Sequence, residues 1–199
     1  MQQVDENSFN VVAELEGNAE GPTLMLSGHL DTVAVANGWS TDPFVPTVDG
    51  DRVYGLGAMD MKGGLAAIVE AVKCIKEVGL HRLNGRLVVA FVAREEGLSE
   101  GTHKLIEGGL HADYGIMAEC RFSNIAVGFR GRYSILARFH GVAAHTARYP
   151  EMGVSAVLDA CRFVIEAEKV RGSSHPRMPQ GATCVREING GSRLTLSVP

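Results

Sequence analysis

Three short apolar runs in this chain each lead directly into acidic or histidine side chains, and this arrangement constrains the fold more than any other feature. Short apolar runs bounded by turn residues are typical of buried strands. The runs and the polar residues that follow them are 22–27 (PTLMLS) with His29 and Asp31, 85–93 (GRLVVAFVA) with Glu95 and Glu96, and 114–118 with Glu119. We therefore expect a sheet whose strand ends carry polar groups.

Helices are predicted between these strands. Residues 61–78 carry apolar side chains at helical spacing, which places Asp60 at the start of a helix, and residues 102–107 indicate a shorter helix. Strands that alternate with helices indicate parallel βαβ units, in which ligands bind beyond the carboxyl ends of the strands. The predicted fold class is therefore α/β, with a mostly parallel sheet flanked by helices.

The pattern changes after Gly128. Residues 133–139 (YSILARF) alternate apolar and polar side chains, which is typical of a strand with one solvated face. Residues 154–170 predict an amphipathic helix, and residues 182–188 predict a further strand. We therefore expect two domains, at residues 1–128 and 129–199.

The composition excludes several classes of partner. The chain has 199 residues, with 19 basic and 23 acidic side chains and a net charge of −4, so it offers no field for nucleic acid or an anionic membrane. No apolar run reaches membrane-spanning length. The four cysteines, at positions 74, 120, 161 and 184, fit neither a zinc knuckle nor a disulfide scaffold. These features predict a soluble cytoplasmic protein that acts on a small molecule or peptide.

The predicted strand ends bring together more negative charge than a protein alone can hold. Asp60, Glu95, Glu96 and Glu119 would share one cleft with His29 if these ends converge. Carboxylates at close range raise one another's pKa values and repel, and a divalent cation relieves this best. An imidazole among carboxylates suits zinc better than calcium or magnesium, which prefer all-oxygen sites. We predict zinc, with cobalt or manganese as alternatives.

The spacing within the runs predicts separate roles. His29 and Asp31 are two residues apart at a strand end, so their side chains leave the same face, and a carboxylate behind a ligating imidazole fixes its tautomer. The adjacent Glu95 and Glu96 point in different directions, so one can bind metal while the other takes a proton from water. This division of roles is the chemistry of hydrolysis.

Six motifs in order resemble those of one enzyme family. They are SFNVVAELEG, SGHLDTV, WSTDPF, GLGAMDMKGG, AREEGLSEGT and GVAAHTARYPEMGVSAV. The chain resembles the dinuclear-zinc family of acetylornithine deacetylase, succinyl-diaminopimelate desuccinylase, aminoacylase and glutamate carboxypeptidase. The resemblance implies hydrolysis of the amide bond of an N-acyl amino acid or small peptide, with two zinc ions per site. It also implies a zinc-peptidase-like catalytic domain and part of an α+β ferredoxin-like lid, through which the protein forms a homodimer.

The resemblance also implies roles for individual residues. Asp60 bridges the two metals, His29 and Glu119 bind one of them, and Glu96 binds the other. Glu95 becomes the general base, and Asp31 supports the ligating histidine. His145 matches the lid histidine that reaches the substrate carbonyl across the dimer and stabilises the oxyanion.

The family pattern extends past this sequence. In the family, the chain returns to the catalytic domain after the lid and supplies a second histidine to the second metal, and that histidine has no match here. We therefore expect an internal fragment with an incomplete second metal site.

Plainer interpretations remain beside these. The alternative function is a catalytically inactive binding or dimerisation module. Asp60 could cap a helix, Glu95 and Glu96 could be a solvated pair, and His145 could be an ordinary polar residue.

Overall fold

A five-stranded mixed sheet organises the first part of the chain. The strands and helices there are β1 (Gln2–Gln3), β2 (Phe9–Glu16), β3 (Ala19–His29), β4 (Thr47–Asp49), β5 (Arg52–Tyr54), α1 (Gly63–Val78), β6 (Asn84–Val92), α2 (Glu100–Glu107) and β7 (Tyr114–Met117). The sheet order is β1-β2-β6-β3-β7, and β4 pairs with β5 in a separate hairpin. This computed structural model describes residues 1–119, 124–192 and 198, and the chain divides into two units, Met1–Asn124 and Ile125–Pro199.

The centre of the sheet is parallel and one side of it is antiparallel. Strand β3 runs parallel to β6 and to β7, so that His29 lies opposite Val92 and Ser27 lies opposite Met117. Strand β2 runs antiparallel to β6, and β1 antiparallel to β2. The carboxyl ends of β3, β6 and β7 therefore meet at one edge, as parallel pairing requires.

The core of this unit lies between the sheet and α1. Leu26, Ile68, Leu87 and Val89 are buried together, and side chains of α1 such as Val72 pack against them. Helix α1 buries one face because its apolar residues recur at three- and four-residue spacing. This packing fixes the start of α1 close to the end of β3.

The structure confirms the predicted α/β fold and most of the elements around the predicted site. The three apolar runs form β3, β6 and β7, and the two helices form α1 and α2. The sequence did not reveal β1, β2 or the β4–β5 hairpin. Strand β2 is hard to recognise because much of it is exposed and acidic residues interrupt its apolar positions.

In the described part of the second unit, the predicted helix is present as α3 (Ala156–Ala167) and is preceded by a short 3-10 turn at Thr146–Arg148. The Oγ of Ser155 accepts a hydrogen bond from the N–H of Leu158 and caps this helix. The strands predicted at residues 133–139 and 182–188 are wrong, since both described segments lack regular secondary structure. Tyr133 and Ile135 are 93% and 86% exposed, and an alternating segment forms a strand only when another strand pairs with it.

Two further findings concern the composition. Among the described residues, no helix is long and apolar enough to cross a membrane. Cys74, Cys161 and Cys184 are free and exposed, whereas Cys120 lies outside the described residues.

Candidate metal centre

Three side chains from separate parts of the sequence converge beyond the carboxyl ends of β3 and β6. His29 is the last residue of β3, Asp60 precedes α1, and Glu96 lies in the loop after β6. One ligand atom from each lies within 4.8 Å of the others, and among the described residues this is the group with metal-binding potential. One nitrogen and two carboxylate oxygens suit zinc and related transition metals.

The hydrogen bonds of His29 favour a cation beside it. Its Nδ1 lies 3.0 Å from the backbone oxygen of Asp31, which assigns the Nδ1 proton to that contact. Its Nε2 then presents a lone pair to Asp60 Oδ1, at 2.9 Å. Two acceptors at this distance need a proton or a metal ion between them.

The pKa of His29 also reflects the negative groups that face its ring. Burial lowers the pKa of His29, but the hydrogen bonds to Asp60 and to the backbone of Asp31, with their negative charge, outweigh burial and leave the pKa raised. A divalent cation would supply the same positive charge while leaving the imidazole neutral.

The pKa of Glu96 is raised by burial and by the neighbouring carboxylates. Burial raises the pKa of Glu96, and the charge of Asp60 raises it further, while His29 acts in the opposite direction. The carboxylate is therefore harder to ionise than an exposed glutamate, and a bound cation would reverse this. The donor set fits the predicted metal.

Asp31 acts differently from the sequence prediction. The backbone carbonyl of Asp31, not its carboxylate, lies within hydrogen-bonding distance of His29, because Oδ1 is 3.7 Å from Nδ1. The two carboxylate oxygens instead accept the backbone N–H groups of Glu95 and Glu96, at 3.0 and 3.1 Å. Asp31 thus links His29 to the segment that carries both glutamates.

Asp60 does not cap α1. The residue before α1 is Lys62, and Asp60 has extended backbone angles of φ −115° and ψ 94°. The peptide bond from Asp60 to Met61 is cis. This geometry removes the plainer interpretation of Asp60 as a helix cap.

The structure leaves Glu119 outside the cluster of three. Glu119 follows β7 by two residues and is exposed. The preceding Ala118 lies close to α1, where a Cβ on Gly64 would meet the carbonyl oxygen of Ala118 at 1.9 Å. The close approach of α1 requires glycine there, and the metal-binding role of Glu119 stays a prediction.

His145 belongs to the second unit, where it borders a cavity of about 460 Å³. Its Nδ1 accepts the backbone N–H of Ala147 at 3.1 Å. In the neutral ring the proton then lies on Nε2, which makes Nε2 a hydrogen-bond donor. An oxyanion-stabilising group needs such a donor, and the catalytic role of His145 stays a prediction.

Two residues that support the cluster were not predicted from the sequence. Met61 is fully buried, and its Sδ accepts the backbone N–H of His29 at 3.1 Å. Asn10 is also fully buried and contacts both ends of the loop that holds Glu96. Met61 resembles an ordinary core residue, whereas Asn10 is a polar residue among the apolar residues of a strand.

A family model described as Peptidase family M20/M25/M40 matches residues 25–188. The chain belongs to this family. It is 38% identical over 143 residues to succinyl-diaminopimelate desuccinylase of Sulfurovum sp. (strain NBC37-1), an alignment that covers 67% of this chain and 37% of that protein. It is 33% identical over 165 residues to carboxypeptidase G2 of Pseudomonas sp. (strain RS-16), with 81% of this chain and 39% of that protein covered.

A solved structure of the same family has a similar fold. The M20 family metallo-carboxypeptidase from Sulfolobus solfataricus matches with a TM-score of 0.58 and 26% sequence identity, over 80% of this chain and 38% of that one. In each of these three comparisons the matched region spans well under half the length of the other protein.

Proposed function

We propose that the protein carrying this chain is a metal-dependent hydrolase that cleaves the amide bond of an N-acyl amino acid or small peptide. The convergence of His29, Asp60 and Glu96 within 4.8 Å is the observation that carries the proposal. Membership in a peptidase family supports the same reaction class. We further propose two zinc ions per site, with Asp60 between them and Glu119 as an additional ligand.

Each residue at the site has one task in this reaction. His29, Asp60 and Glu96 hold the metal, which when bound would polarise the amide carbonyl and lower the pKa of the attacking water to about 7. Glu95 takes the proton of that water and passes it to the leaving amine. Asp31 keeps Glu95 in place, because its carboxylate accepts the Glu95 backbone N–H. Across the proposed dimer, His145 of the partner subunit donates a hydrogen bond from Nε2 to the developing oxyanion.

The proposed substrate class is based on the names of two similar proteins. The protein from Sulfurovum sp. is named a succinyl-diaminopimelate desuccinylase, and the protein from Pseudomonas sp. is named a carboxypeptidase. Both names fit hydrolysis of an amide bond next to an amino acid. We therefore propose N-acyl amino acids and short peptides as the substrates to test.

The same proposal includes a homodimer in the cytoplasm. Ile125, Val127 and Phe129 in the second unit are each more than 90% exposed, and apolar groups this exposed are usually covered by another chain or segment. These residues support the proposed homodimer.

The cysteines support the proposed compartment. Cys74, Cys161 and Cys184 are free and exposed thiols, which persist in reducing compartments.

Substitution of Glu95 tests the proposed reaction. In the full protein loaded with zinc, Glu95→Gln should lower kcat at least about 100-fold on a panel of N-acyl amino acids and dipeptides, since general-base catalysis contributes about 10²–10⁴-fold. Zinc content should not change, because Glu95 holds the proton and not the metal. The matched control is Glu70→Gln, which removes an exposed carboxylate of α1 that pairs with Lys73. Full activity of Glu95→Gln would contradict the assignment of the base.

A further inference from the structure

The most completely buried polar side chain of β2 lies far in sequence from the metal cluster. Asn10 has no exposed surface, and its Oδ1 accepts the backbone N–H of Ala93 at 3.0 Å. Its Nδ2 donates to the backbone oxygen of Gly101 at 2.8 Å and to Gln2 Oε1 at 2.8 Å. A buried amide with all these bonds made is expensive to disturb, because any group left unpaired bears its full desolvation cost.

Ala93 directly follows β6 and Gly101 is the second residue of α2, so the two residues flank the loop between these elements. We call residues 94–99 the glutamate loop, since it carries Glu95 and Glu96. The N–H of Gly101 donates to the carbonyl oxygen of Ala93 at 3.1 Å and closes the base of the loop. Asn10 adds a second connection across the same base, from the N–H of Ala93 to the oxygen of Gly101.

The packing at the base of the loop leaves no space for a side chain at position 101. A Cβ on Gly101 would lie 2.2 Å from the oxygen of Ala93 and 2.6 Å from Oδ1 of Asn10. Glycine is therefore required where α2 approaches the end of β6. The network continues outward, because Gln2 Nε2 donates to the backbone oxygen of Lys104 in α2 at 2.7 Å.

The glutamate loop itself needs to be held. Arg94 and Ser99 both have φ of 58°, a left-handed conformation that few residues other than glycine adopt. Arg94 pairs with Asp5 at 2.9 Å and with Glu100 at 3.3 Å, but its side chain is half exposed, so these pairs contribute little. The buried contacts at the loop base are the stronger restraint.

We propose that Asn10 is a positioning residue, which fixes the glutamate loop at its two ends while Asp31 fixes it at Glu95 and Glu96. Asp31 holds the backbone N–H groups of Glu95 and Glu96, and Asn10 holds the residues at the two ends of the loop. Asn10 itself touches neither substrate nor metal. It acts through the orientation of Glu96 as a ligand and of Glu95 as a base, and so it rests on the proposed function.

Hydrogen exchange in the metal-free chain tests the positioning directly. Asn10→Asp has the same shape but replaces the Nδ2 donor with an oxygen that faces two other oxygens. We expect the Glu95 and Glu96 amides to exchange at least about tenfold faster, relative to amides of β6 such as Val88, because the loop opens locally. Asn10→Ser is a milder variant that keeps a polar group too short to reach both ends, and it should give an intermediate ratio.

Leu15→Ala is the control on the same strand. Leu15 packs against the core cluster and pairs with Leu87, away from the glutamate loop. Its loss should lower global stability without changing the exchange of Glu95 and Glu96 relative to Val88. A purely structural role for Asn10 would make all these variants behave alike.

Zinc titration gives the second readout. Asn10→Asp should weaken zinc binding about 10- to 100-fold, as is typical when a group that orients a ligand is lost, and Leu15→Ala should leave the Kd unchanged. An unchanged exchange ratio in both Asn10 variants, with zinc Kd values within twofold of wild type, would overturn the proposal. If the unsubstituted full protein binds no zinc, the proposed function fails, and the exchange ratios still decide whether Asn10 positions the loop.

Discussion

At the residue scale, the backbone around Asp31 joins the parts of the candidate site. Its carbonyl oxygen contacts the ring of His29, and its carboxylate accepts the N–H groups of Glu95 and Glu96. One residue therefore sets the ring orientation of His29 and the backbone position of Glu96. Charge-assisted bonds of this kind are about twice as strong as neutral ones.

Asp31→Asn should separate these contacts. The amide has one acceptor oxygen in place of two, so one of the two backbone N–H groups loses its partner. We expect zinc affinity to fall about 10- to 100-fold, and the free energy of unfolding to fall by about 1–3 kcal/mol. Calorimetric zinc titration and urea unfolding measure the two effects.

The control for this prediction is Asp113→Asn. Asp113 Oδ2 accepts the backbone N–H of Thr23 at 2.7 Å, beside the same sheet but at the opposite end of β3 from His29. The substitution should cost stability and leave zinc affinity unchanged. Equal zinc affinities in the two variants would contradict the role given to Asp31.

Residue chemistry made part of this site predictable. His29 and Glu96 follow apolar runs and Asp60 precedes a predicted helix, and the structure brings the three together. The carbonyl contact of Asp31 could not be predicted, because it depends on how the backbone turns after β3. Asn10 could not be predicted either, since its partners are backbone groups 83 and 91 residues away.

At the element scale, parallel pairing of β3 with β6 and β7 creates the edge on which the cluster lies. The order of strands and helices predicted this part of the sheet correctly. The antiparallel β2 was missed because a half-exposed strand has a weak hydrophobic pattern, and its position is set by pairing with β6, not by its own sequence. The segments of the second unit that were wrongly predicted as strands show the opposite case. Their residues alternate in polarity, but no neighbouring strand in the described part of the chain pairs with them.

Gly64→Ala tests the packing of α1 against the end of β7. The new Cβ would lie 1.9 Å from the oxygen of Ala118, so the helix or the strand end must move. We expect unfolding by urea to show a loss of about 1–3 kcal/mol, as overpacking typically costs. Zinc affinity should fall as well, because Asp60 lies just before the helix.

Gly115→Ala provides the comparison on β7. The nearest atom to its Cβ would be Cε of Met25, at 4.0 Å, which is an ordinary contact. This variant should stay within about 0.5 kcal/mol of wild type. Equal stability of Gly64→Ala and Gly115→Ala would show that α1 does not need the close approach.

At the scale of the whole molecule, the chain has one unit whose sheet brings His29, Asp60 and Glu96 together and a second unit that carries His145. The family match extends across both units, from residue 25 to residue 188. The general fold of the first unit follows from its sequence pattern, whereas the two segments of the second unit that were predicted as strands form none, and several of their apolar residues are exposed.

Crystallography of the zinc-soaked protein, with anomalous data collected on both sides of the zinc absorption edge, tests the metal site of the first unit. We expect an anomalous peak about 2.0–2.2 Å from His29 Nε2 and from an oxygen of Asp60, with Glu96 ligating the same ion or a second one about 3.5–4 Å away. A zinc-saturated crystal with no peak at His29, Asp60 and Glu96 would contradict this assignment of the metal site.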